Sequence, residues 1–185
     1  MAATYPRLVI LDRDGVVNRE SKDFIRSPAE WIPLPGALEA IAALTAGGFA
    51  VVVASNQSGV GRGLFTAATL AAINTRMTAE VEQAGGRLAG IFVCPHAPED
   101  GCSCRKPKPG LLRQVEAVFG VDLAGVPAVG DSERDLQAAQ AVGARAILVR
   151  TGNGRETEAR LAGAAGIEVF DNLAAVAGAL LERAR

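Results

Sequence analysis

The chain has 185 residues, 49% of them apolar and 21% charged, which suits one folded domain and excludes disorder and coiled coil. Its 19 Lys and Arg against 20 Asp and Glu leave a net charge of −1, too close to balance for a broad basic footprint on nucleic acid or an anionic membrane. The longest strictly apolar run, Phe49 to Ala54, is far short of a membrane span. In chain order, the first predicted element is a strand at Arg7–Leu11, apolar without alternation, as in a parallel strand buried on both faces. Gly15–Leu34 is long and irregular for a connection and reads as an active-site loop. A helix follows at Pro35–Ala46, with proline in its first turn and Gly47-Gly48 at its end. The pattern then gives a strand at Ala50–Ala54, a threonine-capped helix at Thr66–Ala84 and a strand at Ala89–Val93. It continues with a helix at Pro109–Phe119, a strand at Val126–Val129, a helix at Ser132–Val142, strands at Arg145–Val149 and Ile167–Phe170, and a helix at Leu173–Arg183.

This rhythm predicts a single α/β domain over 1–185, a doubly wound parallel sheet with right-handed crossovers. Ligands in such sheets bind at the carboxyl ends of strands, which directs attention to the residues after Leu11, Ala54, Val93 and Val129. The amino terminus has no long apolar stretch of the signal-peptide kind, so a cytoplasmic site is expected, with no membrane and no nucleic-acid partner.

Polar groups that suit phosphate chemistry follow three of those strand ends. After the first come Asp12 and Asp14, separated by one residue and followed by Gly15, so that both carboxylates can turn toward one pocket. After the second come Ser55, Asn56, Gln57 and Ser58, where a small hydroxyl and backbone N–H groups can meet a phosphate oxygen. After the fourth, Asp131 and Asp135 offer hard oxygen ligands that suit Mg²⁺. Lys106, just before a helix, would neutralise a phosphoryl group in transfer. Its neighbour Lys108 reads as a solvated basic turn.

All three cysteines and the only histidine fall in one loop, residues 94–104: Cys94, His96, Cys102 and Cys104. Three thiolates and an imidazole make a closed tetrahedral zinc set. An odd, clustered cysteine count does not fit a disulfide framework, and the absence of Cys-x-x-Cys argues against a redox role.

The ordered set Asp12-x-Asp14-Gly15, Ser55-Asn56, Lys106 and Gly130-Asp131-x3-Asp135 resembles the haloacid dehalogenase superfamily of phosphohydrolases over nearly the whole chain. The run Ser58–Phe65 and the cysteine cluster are similar to those of the D-glycero-D-manno-heptose 1,7-bisphosphate 7-phosphatases, cytoplasmic enzymes on the route to the ADP-heptose of lipopolysaccharide. The short spacer between His96 and Cys102 is closer to that of the related histidinol-phosphate phosphatases, which remain the alternative.

The resemblance implies a Rossmann-like fold and hydrolysis of a phosphomonoester through an aspartyl-phosphate. Asp12 would be the nucleophile. Asp14, protonated at first, would be the general acid and then the general base. Mg²⁺ would be held by Asp12, Asp131 and the backbone carbonyl of Asp14. Ser55 and Lys106 would grip the phosphoryl oxygens, with Asn18, Asn56, Gln57, Ser58 and Arg105 around the rest of a phosphorylated sugar. Arg105 would meet a second phosphate, for which a guanidinium fork is suited. The gaps after the first two strands are too small for a folded cap domain. A monomer is expected. Two other classes stay open, a phosphotransferase and a non-hydrolytic phosphate-binding protein.

Overall fold

The apolar run after Arg7 forms the middle of a parallel sheet. In the computed structural model, which describes residues 7–163 and 165–184, six strands lie in the order β3-β2-β1-β4-β5-β6. They are β1 (Arg7–Leu11), β2 (Phe49–Asn56), β3 (Leu88–Cys94), β4 (Pro127–Gly130), β5 (Arg145–Val149) and β6 (Glu168–Phe170). The amino-terminal residues read above as unlike a signal peptide lie outside the described residues, apart from Arg7. No helix among the described residues is long and apolar enough to cross a membrane.

Both faces of the sheet are covered, which is why the middle strands run apolar without alternation, as in Leu8–Leu11 and Val51–Ala54. On one face Val9, Leu11, Val51, Val53, Ile147 and Val149 join one core. It is covered by α1 (Ala37–Ala46), α3 (Ala67–Gln83) and α7 (Leu173–Arg183). On the other, Leu8, Ile10, Val52, Ala54, Ala146 and Leu148 pack under α4 (Gly110–Phe119) and α5 (Glu133–Ala141). The helices present apolar residues at three- and four-residue spacing, as in Ala37, Ala40, Ile41 and Leu44 of α1. Full burial of one such leucine or isoleucine side chain contributes about 1.5–3 kcal/mol.

The long segment after β1 is pinned rather than free. Trp31, Val16 and Val17 are fully buried in the first core, and Asn18 bridges to Pro33. No separate cap domain rises from the described segments after β1 or β2. Pro35 lies outside α1; the chain turns at Gly36, with φ 77°, and the helix starts at Ala37. Two α-helical pieces lacked a sequence signal. These are the short α2 (Ser58–Gly61) and α6 (Gly154–Leu161), whose only buried residues are Gly154 and Thr157, so that no apolar stripe marks it. β2 and β3 also run past their predicted ends and carry Ser55, Asn56 and Cys94 inside the sheet, with Asn56 paired to Cys94.

Candidate active site

Strand order reverses between β1 and β4, and the crevice at that point is where an open α/β sheet binds ligands. Pairing runs one residue past β1, with the Asp12 N–H donating to the Val129 carbonyl at 2.9 Å. That bond fixes Asp12 beside Asp131, which follows the last residue of β4. Carboxylate oxygens of Asp12, Asp131 and Asp135 all lie within 4.8 Å of one another, and all three residues are buried. Lys106, also buried, threads between them. Its Nζ lies 3.0 Å from Asp12 Oδ1 and 2.7 Å from Asp135 Oδ1, and it donates to the Ala54 carbonyl at 2.8 Å.

One cation does not satisfy three buried acids. Burial, followed by the field of Asp135, pushes Asp12 up to about 7 despite Lys106. Burial also pushes Asp131 up to about 7, although the Asn153 N–H pulls the other way. Asp135 is held low despite burial, because Lys106 and the Ser132 hydroxyl bond to it. Asp12 and Asp131 are therefore the carboxylates left wanting a further cation. Asp131 Oδ1 is buried with no hydrogen-bond partner among the described residues.

The other oxygen of Asp131 is fixed by a loop that the sequence reading passed over. Asp131 Oδ2 accepts from the Asn153 N–H at 2.8 Å and from Asn153 Nδ2 at 3.1 Å. Thr157 donates to the Asp131 carbonyl at 2.9 Å, and Thr151 to that of Gly15 at 2.6 Å. These residues follow β5, a strand end like the others, and that position is the signal that could have found them. Gly15 and Gly152 must be glycine here. Their φ values are 82° and 56°, and a Cβ would fall 2.1 Å and 2.2 Å from Asp131 Oδ2.

Asp12, Asp14, Ser55, Asn56, Gln57, Ser58, Arg105 and Lys106 all line one cleft of about 240 Å³, together with Glu20, Phe24, Arg62 and Arg134. Several polar ends are already occupied by protein. Asn56 clamps both main-chain groups of Lys106, its Nδ2 donating to the carbonyl and its Oδ1 accepting from the N–H, each at 3.0 Å. Asn18 is fully buried and donates to Asp14 Oδ1 at 2.8 Å. Gln57 donates to Asp14 Oδ2 and to Ser55 Oγ, both at 2.8 Å. Each of these three side chains thus braces another site residue, and Asn56 and Gln57 also line the cleft. Ser58 is buried at the cleft wall. Arg105 is half-buried, with an unpartnered Nη1, and its pKa is lowered by burial and by Arg134 and Arg62 nearby. Arg13 was given no role from sequence, yet it is buried and forks onto Asp14 through Nε at 3.1 Å and Nη2 at 3.2 Å.

The loop after β3 gathers the four soft donors. Cys94 Sγ lies 3.2 Å from Cys104 Sγ and 3.6 Å from Cys102 Sγ. His96 Nδ1 lies 3.3 Å from Cys104 Sγ and 3.6 Å from Cys94 Sγ. A tetrahedron with metal–sulfur bonds of ~2.3 Å has edges of about 3.8 Å, so the four atoms already approach that shape with their thiols free. Burial pushes Cys94 up to about 12. For Cys102 burial acts the same way, but the Arg105 N–H and the neighbouring sulfurs outweigh it and bring the thiol down to about 7. Lys108, read as a solvated turn, ties its Nζ to the Cys102 carbonyl at 2.8 Å and to that of Gly101 at 3.2 Å. The loop also seats α2, through Gln57 N–H to the Cys94 carbonyl and Gly61 N–H to that of Pro95.

A doubly wound sheet with paired acids at the ends of β1 and β4, and a buried lysine between them, defines a phosphohydrolase of the haloacid dehalogenase-like class. The HAD-hydrolase-like family model matches residues 103–176, and that of polynucleotide kinase 3 phosphatase matches residues 8–135. The D-glycero-β-D-manno-heptose-1,7-bisphosphate 7-phosphatase of Bordetella bronchiseptica is 56% identical over 96% of this chain and 99% of that protein. The Pseudomonas aeruginosa enzyme of the same name is 51% identical over 95% and 98%. The crystal structure of the B. bronchiseptica enzyme with magnesium and phosphate superposes with a TM-score of 0.93 at 56% identity, covering 96% of this chain and 99% of that one. That of the Burkholderia thailandensis heptose bisphosphate phosphatase gives 0.75 at 44% identity, covering 95% and 98%. The chain belongs to the heptose-1,7-bisphosphate 7-phosphatase family.

Proposed function

We propose that this protein removes the C7 phosphate of a D-glycero-D-manno-heptose 1,7-bisphosphate in the cytoplasm and leaves the anomeric phosphate in place. The observation that carries the reading is the convergence of Asp12, Asp14, Ser55 and Lys106 in one cleft at the switch point of the sheet.

In the first step the Asp12 carboxylate forms a bond to phosphorus while the bond from phosphorus to the C7 oxygen breaks. Asp14 gives its proton to that departing oxygen. In the second step Asp14 takes a proton from water, whose oxygen attacks phosphorus and releases phosphate from Asp12. Ser55 and Lys106 hold the phosphoryl oxygens, and Lys106 also favours the ionised form of Asp12 against burial. Asp12 and Asp131 supply the carboxylates for Mg²⁺, with the Asp14 carbonyl beside them; the buried, unpartnered Asp131 Oδ1 fits that use. Bound there, the ion screens the repulsion between carboxylate and phosphate. A relative at 56% identity was crystallised with magnesium and phosphate.

Arg105, flanked by Arg62 and Arg134 at the cleft, takes the phosphate that is retained. A bisphosphate brings two anionic groups, and this cleft has separate cations for each. The site Cys94, His96, Cys102 and Cys104 holds a structural zinc, since four protein ligands leave no open position for water. Its support is the near-tetrahedral donor set. Arg105 and Lys106 follow Cys104 directly, so the metal loop sets where both cations stand. The chain acts as one domain and as a monomer. In support, the exposed large apolar residues among those described, Ile32, Leu64 and Val118, come from three different segments of the chain.

The test is phosphate release from heptose 1,7-bisphosphate, histidinol phosphate and a 3′-phosphorylated oligonucleotide, compared by kcat/KM. The bisphosphate is expected to lead by at least about 100-fold, the scale on which a missing charge-paired group is felt. Equal or better turnover of either competitor would contradict the assignment.

A further inference from the structure

Gln57 is bonded to protein through both polar atoms of its side chain. Its side chain is buried, and all three of its bonds go to protein. Oε1 accepts from Arg13 Nη2 at 3.1 Å, and Nε2 donates to Asp14 Oδ2 and to Ser55 Oγ, each at 2.8 Å. The amide orientation follows from its neighbours. A guanidinium only donates, so Oε1 must face Arg13, and the NH₂ is left for Asp14, which accepts. Gln57 itself is set by its N–H bond to the Cys94 carbonyl at 2.7 Å, where β2 and β3 end together.

Asp14 has two other partners, Arg13 and Asn18, and both belong to its own loop. They hold its carboxylate within that loop but do not tie it to the phosphate pocket. Gln57 comes from the next strand end and is bonded at once to Asp14 and to Ser55, which grips phosphate in the proposed mechanism. We infer that Gln57 is a positioning residue, which sets the distance and angle between the proton-transferring carboxylate of Asp14 and the phosphoryl group. The inference rests on the reading of Asp14 as general acid, and the test below separates the two. Ser55 keeps its hydroxyl hydrogen free with or without Gln57, so the hold on phosphate survives loss of the amide.

The experiment uses the full chain with Mg²⁺ and compares Gln57→Met, Asp14→Asn and the double variant. Gln57→Glu serves as a second probe that keeps the volume and the Arg13 bond but loses the amide donation. Two substrates are used, a primary sugar phosphate, whose leaving alkoxide needs a proton, and p-nitrophenyl phosphate, whose leaving group departs without one. Thermal melts establish that each variant is folded. Both Gln57 variants should lose about 10- to 100-fold in kcat on the sugar phosphate, the scale of a misplacement near 1 Å, with KM within about threefold. The pre-steady-state burst of p-nitrophenolate, which reports phosphoryl transfer to Asp12, should stay within about threefold of wild type because it lacks the acid step. On the Asp14→Asn background Gln57→Met should cost nothing further. If Asp14→Asn is selective for the sugar phosphate and the Gln57 variants are not, the role given to Gln57 is wrong. A rise in KM at unchanged kcat would also overturn it, by making Gln57 a substrate contact. If Asp14→Asn itself loses the same factor on both substrates, the acid assignment fails and the inference falls with it.

Discussion

Removing magnesium should make this protein less stable as pH rises through neutrality, the reverse of the behaviour of an ordinary carboxylate. Asp12 and Asp131 each sit at about 7 instead of 3.8, in both cases chiefly through burial. A carboxylate whose folded pKa is raised contributes stability fully present below its unfolded value, and this is lost as pH climbs to the folded value. One pH unit in that window corresponds to about 1.4 kcal/mol per group. Between about pH 5.5 and 7 each carboxylate therefore removes about 1.5 kcal/mol, or about 3–6 °C in Tm for a chain of this size. Asp135, Glu158 and Glu168 are shifted down, so their contributions are already complete at these pH values and do not offset the trend. Thermal unfolding in magnesium-free buffer without a strong chelator, which leaves the thiolate site loaded, measures the slope. Millimolar Mg²⁺ should raise Tm most at the alkaline end and flatten the curve, because it binds only the folded, deprotonated site. Asp131→Asn should reduce the metal-free slope, since it also relieves Asp12 of a neighbouring charge, and should lose the magnesium response. A metal-free Tm that is flat or rising from about pH 5.5 to 7.5 would refute the idea that the acidic cluster buries uncompensated charge.

Asp12→Asn should abolish phosphate release while melting at or above wild type near pH 8 without magnesium, as circular dichroism and a phosphate assay would establish together. Lys106→Met should remove activity and, unlike Asp12→Asn, cost about 3–5 kcal/mol near pH 8, because it strands buried carboxylates without their cation; urea denaturation reads this difference. Metal analysis should find about one zinc per chain, and Cys102→Ser should speed amide hydrogen exchange through residues 94–104 and lower kcat at saturating Mg²⁺. Arg105→Ala should lose more kcat/KM on a sugar bisphosphate than on a monophosphate, and an equal loss on both would take Arg105 out of substrate recognition.

Much of the frame was legible because its signals are local. Leu8–Leu11 and Val51–Val53 have no polar interruption, and only a strand buried on both faces tolerates that. Glycines after α1 and α3 and the Thr66 cap marked helix ends by backbone geometry, and Leu173–Arg183 carries a clean apolar stripe. The acids after β1 and β4 could be read because strand ends in this topology face one crevice. What stayed hidden depends on direction rather than composition. Nothing in Asn18, Asn56 or Gln57 as residue types says whether an amide faces solvent or a neighbour, so all three read as substrate contacts although their side chains brace Asp14 and Lys106. Arg13, between two acids, drew no reading from the sequence, yet it is buried and paired. Asn153 and Thr157 escaped because α6 buries only Gly154 and Thr157 and offers no periodicity.

The central claim is that Asp12 carries the phosphoryl group between substrate and water, and covalent trapping tests it most directly. Enzyme mixed with substrate labelled in the departing phosphate, quenched in acid within one turnover and digested, should yield a labelled peptide containing Asp12. That label should be absent from Asp12→Asn and discharged to inorganic phosphate when the quench is delayed. Full turnover with no label on any protein residue at any quench time, under conditions where free phosphate rises from the first point, would contradict it.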